Sequence, residues 1–223
     1  MNRLRVHLTD GRLAFILILA IIIIDQIIKV EVKTNMCLGE SIHVTNWFYI
    51  SFIENNGMAY GMTLGSKLVL SIMRIIAIGC IGWYINRVIR ERHHTGYVMV
   101  LAMILAGAAG NVFDSMFYGL CFNESSPFVV SHFVDFGTGY ASFLEGKVVD
   151  MFYFPLIVTT WPEWVPFYGG QEFIFFSPVF NFADACISVG VVLLLIFYRK
   201  DLEGMGDTFK KSLPKKVNEH TES

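Results

Sequence analysis

Four stretches of this chain are apolar for long enough to cross a lipid bilayer: about 13–30, 68–86, 97–114 and 179–198. A bilayer-crossing helix needs ~20 predominantly apolar residues. Inside hydrocarbon no water can satisfy backbone N–H and C=O groups, so such stretches must pair them internally, as helices do. This constraint outranks local propensity. Composition agrees with it: 54% hydrophobic and 16% charged residues are too apolar a mixture for an ordinary soluble domain. The fold expected is a membrane protein, mainly α, with four transmembrane helices, a small extracytoplasmic β-hairpin or sheet and a long extracytoplasmic loop.

Charge sets the orientation. Arg3, Arg5 and Arg12 precede the first span, Arg87, Arg90, Arg92, His93 and His94 join the second to the third, and Arg199, Lys200, Lys210, Lys211, Lys215 and Lys216 follow the fourth. Basic residues mark cytoplasmic connections, so both termini are expected in the cytoplasm, which requires an even number of spans. The amino end has the basic and apolar regions of a signal peptide, but no small-residue cleavage site follows, and Asp25-Gln26-Ile27-Ile28-Lys29 continues the helical pattern. It reads as a retained first span. Residues 1–200 then form a single integral-membrane domain, with 201–223 a disordered cytoplasmic tail. No basic face interleaved with aromatics suggests a nucleic-acid partner.

Two connections fall outside the cytoplasm, Glu31–Lys67 and Asp114–Pro178. Thr45–Ile53 is rich in β-formers and is followed by Glu54-Asn55-Asn56-Gly57, whose Asn-Gly step predicts a hairpin turn. The second connection is heavy in aromatics from Phe152 to Phe176 and is expected to rest against the bilayer. Cys80 and Cys186 lie in apolar runs as packing residues, whereas Cys37 and Cys121 lie in loops and could pair in an oxidising compartment.

The polar residues inside the spans carry the functional reading. Asp184 stands near the head of the last apolar run, where an acid is costly and by default marks function. Asn181, Asp184 and Ser188 share one helical face. Asp25, Asn111 and Asp114 reach the same outer level, and the loop acids Asp135 and Asp150 lie outside. Bland readings stand beside this one: Asp25 and Lys29 as a structural ion pair, Asn111 as an interhelical hydrogen bond, Asp184 as a helix cap. Gly107, Ala108, Ala109 and Gly110 read as a close helix contact. No HExxH or GxSxG motif occurs and no His lies within a span, which points away from zinc, serine or histidine chemistry. What remains is acids and amides. Two carboxylates brought together share one proton, so one can serve as base on a water while the other polarises a carbonyl. A proton-coupled carrier would also place carboxylates in spans, but four helices without repeats or broken segments suit it poorly.

Asp25-Gln26-x-x-Lys29, Asn55-x-Gly57-x-Ala59, Gly107-Ala108-x-Gly110-Asn111-x-x-Asp114, Gly146-x-Val148-Val149-Asp150 and Phe180-Asn181-x-Ala183-Asp184 occur in that order. Together they resemble the bacterial lipoprotein signal peptidases (signal peptidase II), over about Asp25 to Gly190. The resemblance implies a four-helix aspartic endopeptidase of the bacterial inner membrane with its active site on the periplasmic side, the target of globomycin. It would act without cofactor or metal, as a monomer among membrane lipids, on prolipoproteins bearing a lipid-modified Cys. It implies Asp150 and Asp184 as the catalytic pair, Asn55, Gly57, Asn111 and Asn181 as polar supports, and Asp25, Lys29 and Asp114 as framework or site-lining residues.

The chain departs from the family pattern in two places. Ser115 stands where the family usually has Arg directly after its Asp, and about 26 residues separate Gly119 from Gly146. That insertion leaves Asp135 as a second candidate acid, but only Asp150 has the Gly-x-Val-Val lead-in. Arg74, within the second apolar run, either snorkels to lipid phosphates or turns inward to supply the missing charge, with Asp114 or Asp25 as its partner.

Overall fold

A computed structural model describes residues 2–56 and 67–203, with the side chains of 2–9 left aside. Gly57, and with it the Asn56-Gly57 turn, lies outside the described residues, as does 204–223. Helix α1 runs over Asn2–Asn35, α2 over Lys67–Glu91, α3 over Thr95–Cys121 and α4 over Phe182–Phe197, followed by the short α5, Arg199–Glu203. The first three are long and apolar enough to cross a membrane; α4 has 16 residues, about 24 Å. The fourth apolar run is not helical throughout, because Val179–Phe180 forms a strand and Asn181 caps the helix behind it. The third is longer than its apolar run suggests: Asp114 lies inside α3, two turns before its end at Cys121.

Helix α3 is the hub, packed against α1, α4 and α2. Small residues permit this. A Cβ at Gly107 would stand 2.4 Å from the Ala183 carbonyl oxygen of α4, and one at Gly110 would stand 2.8 Å from Asp25 Oδ2 of α1. The outer surfaces of α1, α2 and α4 carry exposed Phe15, Ile16, Met73, Ile76, Leu195 and Ile196, the surface a lipid solvent requires of a spanning helix. At one end of the bundle, Thr95 Oγ1 donates to Asp10 and His93 meets Asp201. The early turns of α1, the α2–α3 turn and α5 are thus held together there.

The opposite end carries a four-stranded antiparallel sheet: β1 (Ser41–Thr45), β2 (Phe48–Asn55), β3 (Val148–Tyr153) and β6 (Val179–Phe180), in that order. The β1–β2 hairpin turns at Asn46–Trp47, with Thr45 opposite Phe48. The β-rich stretch is therefore two strands about a two-residue turn, and the far side of β2 pairs with β3 from the long second connection. Between β3 and β6 the chain makes a separate exposed hairpin, β4 (Ile157–Thr160) and β5 (Glu172–Phe175). Cys37 and Cys121 are both free thiols.

Candidate active site

Sheet register brings the acids together. In β3, Phe152 pairs with Phe180 of β6, so Asp150, two residues earlier, lies just past the point where β6 gives way to α4. Asn181 occupies that junction as the N-cap of α4. Its side chain accepts from the Asp184 N–H at 2.9 Å, and its own N–H donates to Asp184 at 3.4 Å, a reciprocal capping box. Its Nδ2 donates to Asp150 Oδ1 at 2.7 Å and to Asn111 Oδ1 at 3.0 Å. One buried residue therefore reaches both candidate carboxyls, Asp150 through its side chain and Asp184 through its backbone N–H.

Asn55, at the end of β2, donates to the other Asp150 oxygen at 3.0 Å. Asn111 of α3 donates to Asp184 Oδ1 at 2.7 Å. Lys29 decides which way the Asn111 amide faces: an ammonium has only donors, and it donates to Asn111 Oδ1 at 2.9 Å, leaving Nδ2 for Asp184. Fully buried, Lys29 also lies 2.8 Å from both Asp25 and Asp114, so all three of its donors are used. Asp25 accepts the Ala183 N–H at 2.9 Å and so satisfies a second first-turn donor of α4. Asp114 accepts Gln26 Nε2 at 2.8 Å and the Val149 N–H at 3.4 Å, which ties α3 to the strand that carries Asp150.

Asp150 is 2% exposed, and burial raises its pKa from the usual carboxylate range to about 7. The nearby Asp184 charge pushes the same way, while the Asn55 and Asn181 amides oppose it. Asp184 is only half-buried and accepts N–H donors on both oxygens. The two carboxyls are thus placed unequally. One is desolvated; the other sits at a helix N-terminus, where the macrodipole favours negative charge.

Asp135 is exposed in a turn whose carbonyl accepts from Thr138, and it has no place in this network. Arg74 is half-buried, and the charges of Asp184, Asp150 and Asp114 act on it. Asp114 already has Lys29 and Gln26 on its oxygens. Ser115, at the position of the family arginine, donates along its own helix to the Asn111 carbonyl at 3.3 Å.

Sequence reasoning gave no role to a second buried group beside these residues. Lys33 of α1 pairs with Glu54 of β2 and donates to Ser125 at 2.7 Å; Lys147 lies 3.4 Å from Glu54. The spacing Asp25, Lys29, Lys33 puts all three on one helical face, which was the available signal. Glu54 directly precedes Asn55, but alternation in a strand turns the two side chains to opposite faces.

The sequence model described as signal peptidase (SPase) II matches residues 17–199. The chain belongs to the signal peptidase II family. It is therefore a membrane-type protease. The lipoprotein signal peptidase of Porphyromonas gingivalis is 47% identical over 217 residues, covering 97% of this chain and 95% of its own length. That of Amoebophilus asiaticus is 35% identical over 189 residues, covering 82% and 75%. A solved bacterial membrane enzyme, determined by the in meso method at 1.9 Å resolution, shares the fold with a TM-score of 0.56 at 22% identity, covering 84% of this chain and 93% of its own.

Proposed function

We propose that this protein removes signal peptides from prolipoproteins bearing a lipid-modified Cys, as an aspartic endopeptidase with Asp150 and Asp184 as its catalytic pair. The observation that carries the reading is Asn181, whose side chain donates to the Asp150 carboxyl and whose backbone N–H donates to that of Asp184. The relatives' name, lipoprotein signal peptidase, supports the substrate class.

The environments suggest the division of labour. Burial raises the Asp150 pKa to about 7, so about half of the molecules carry its proton at neutral pH, and in that form it donates a hydrogen bond to the scissile carbonyl. Asp184, more open and fed by N–H donors, takes a proton from the attacking water. The oxygen of that water forms a bond to the carbonyl carbon, and the tetrahedral intermediate collapses with the C–N bond breaking as Asp184 passes its new proton to the leaving amide nitrogen. Asn55, Asn111 and Asn181 keep the acids aligned; Asp25, Lys29 and Asp114 are the framework behind them. Gly57 is carried over from the family motif as a site-lining residue.

The same reading makes the enzyme a monomer of the bacterial inner membrane that needs neither cofactor nor metal. Both termini are cytoplasmic and the site is periplasmic, with residues 1–200 as one membrane domain. The test uses the full chain in detergent with a synthetic prolipoprotein peptide carrying a diacylglyceryl cysteine. Asp150→Asn and Asp184→Asn should each abolish cleavage while remaining folded, and a chelator should leave the wild type active. A working Asp150→Asn variant, or loss on chelation that zinc restores, would overturn the mechanism.

A further inference from the structure

The buried charges around Glu54 have no part in the chemistry just described, and their placement needs a reason. A buried ion pair is poor value for stability: exchanging both partners for apolar residues is often neutral or better. Its best-attested benefit is specifying one register among several. Here three side chains from two other segments meet on one carboxylate. Glu54 Oε1 takes Lys33 Nζ of α1 and, at 2.8 Å, the Ser125 hydroxyl of the segment between α3 and β3. Oε2 lies 3.4 Å from Lys147 Nζ, an ion-pair contact without hydrogen-bond geometry.

Lys147 directly precedes Val148, the residue that pairs with Asn55. The β2–β3 ladder is irregular between Ile50 and Ile53, one turn of the pleat before the site. Past such a break the ladder alone does not hold the alignment, and a one-residue slip would turn every side chain to the opposite face. Such a slip would take the Asn55 amide away from Asp150.

We propose that Lys33, Glu54, Ser125 and Lys147 form a register clamp, with Lys33 and Glu54 as positioning residues that hold Asn55 on the catalytic Asp150. The segment inserted between Gly119 and Gly146 supplies Ser125 to this clamp, which gives the insertion a role in the site. Packing around Lys33 agrees: its ammonium lies over the rings of Phe122 and Tyr140 from the same segment, at 5.2 and 5.3 Å. The inference rests on Asp150 being a catalytic acid.

The experiment compares wild type with the double variant Lys33→Met/Glu54→Leu, which leaves no buried charge unpaired between these two partners. Cleavage of the diacylglyceryl peptide is followed against pH. The Asn55 donor holds the Asp150 carboxyl down, so its loss should move the Asp150 limb of the kcat profile upward by about half a pH unit. A drop in kcat of about tenfold should accompany this, with KM little changed. Asn55→Ala alone should move the same limb, and adding the double variant to it should cost nothing further. A double variant with a lower Tm but wild-type kcat and pH profile overturns the clamp, as does an effect that adds in full to that of Asn55→Ala. Should the double variant not fold, Glu54→Asp keeps the charge with a shorter reach, and the same shift or its absence decides. Asp150→Asn is run in parallel: if it is inactive while the clamp variants behave as wild type, only the clamp fails, and if it is active, the functional reading itself falls.

Discussion

Asn181 does several things that neither acid does alone. It caps α4, orients Asp184 and donates to Asp150 and Asn111. Asn181→Ala should therefore cost both stability and activity: about 0.5–2 kcal/mol from the lost cap, read as a lower Tm, and about a hundredfold in kcat. The Asp150 proton gives a pH signature. Its folded pKa of about 7 lies above the ordinary 3.8, so the folded state binds that proton more tightly than the unfolded chain does. The contribution of this group to stability thus falls as pH rises from about 4 to 7. Melting curves of Asp150→Asn should lose that slope. Arg74 feels the charges of Asp184, Asp150 and Asp114, and a planar guanidinium is not replaced by an ammonium. Arg74→Lys should lower cleavage nearly as much as Arg74→Ala; a fully active lysine variant would point to snorkelling instead.

Among elements, the contact of α3 with α1 and α4 sets the position of everything above it. Gly107 and Gly110 face the Ala183 carbonyl and the Asp25 carboxylate with no room for a methyl group. Gly107→Ala should push α4 outward and destabilise by about 1–3 kcal/mol, as overpacking does. Gly110→Ala should in addition displace Asp25 from the Ala183 N–H, so activity should fall more than Tm alone explains. Gly146 belongs to the same logic, since a Cβ there would stand 2.3 Å from the Asp114 carbonyl oxygen. The chain entering β3 passes directly over α3, and that crossing sets where Asp150 arrives.

At the scale of the whole molecule, the polar network gathers at one end of the bundle, and Arg87, Arg90, Arg92, Arg199 and Lys200 lie at the other. A reporter active only outside the cytoplasm, fused after Ser223, should stay silent; activity there would sink the proposed topology. The apolar runs, the basic flanks and the family motifs are local properties of the chain, so the membrane class, the helical core and the candidate acids could be read from residues alone. Periodicity also showed that Asn181 and Asp184 share a face. It could not show that Val179–Phe180 leaves the fourth apolar run for a sheet, because a short apolar stretch satisfies helix and strand alike. Nor could it pair β2 with β3, whose residues lie about a hundred positions apart. That pairing brings Asp150 to Asn55, and the β3–β6 pairing brings it to Asn181. Residue type and spacing determine which groups can do the chemistry; only long-range strand register, which no local stretch encodes, decides which of them meet.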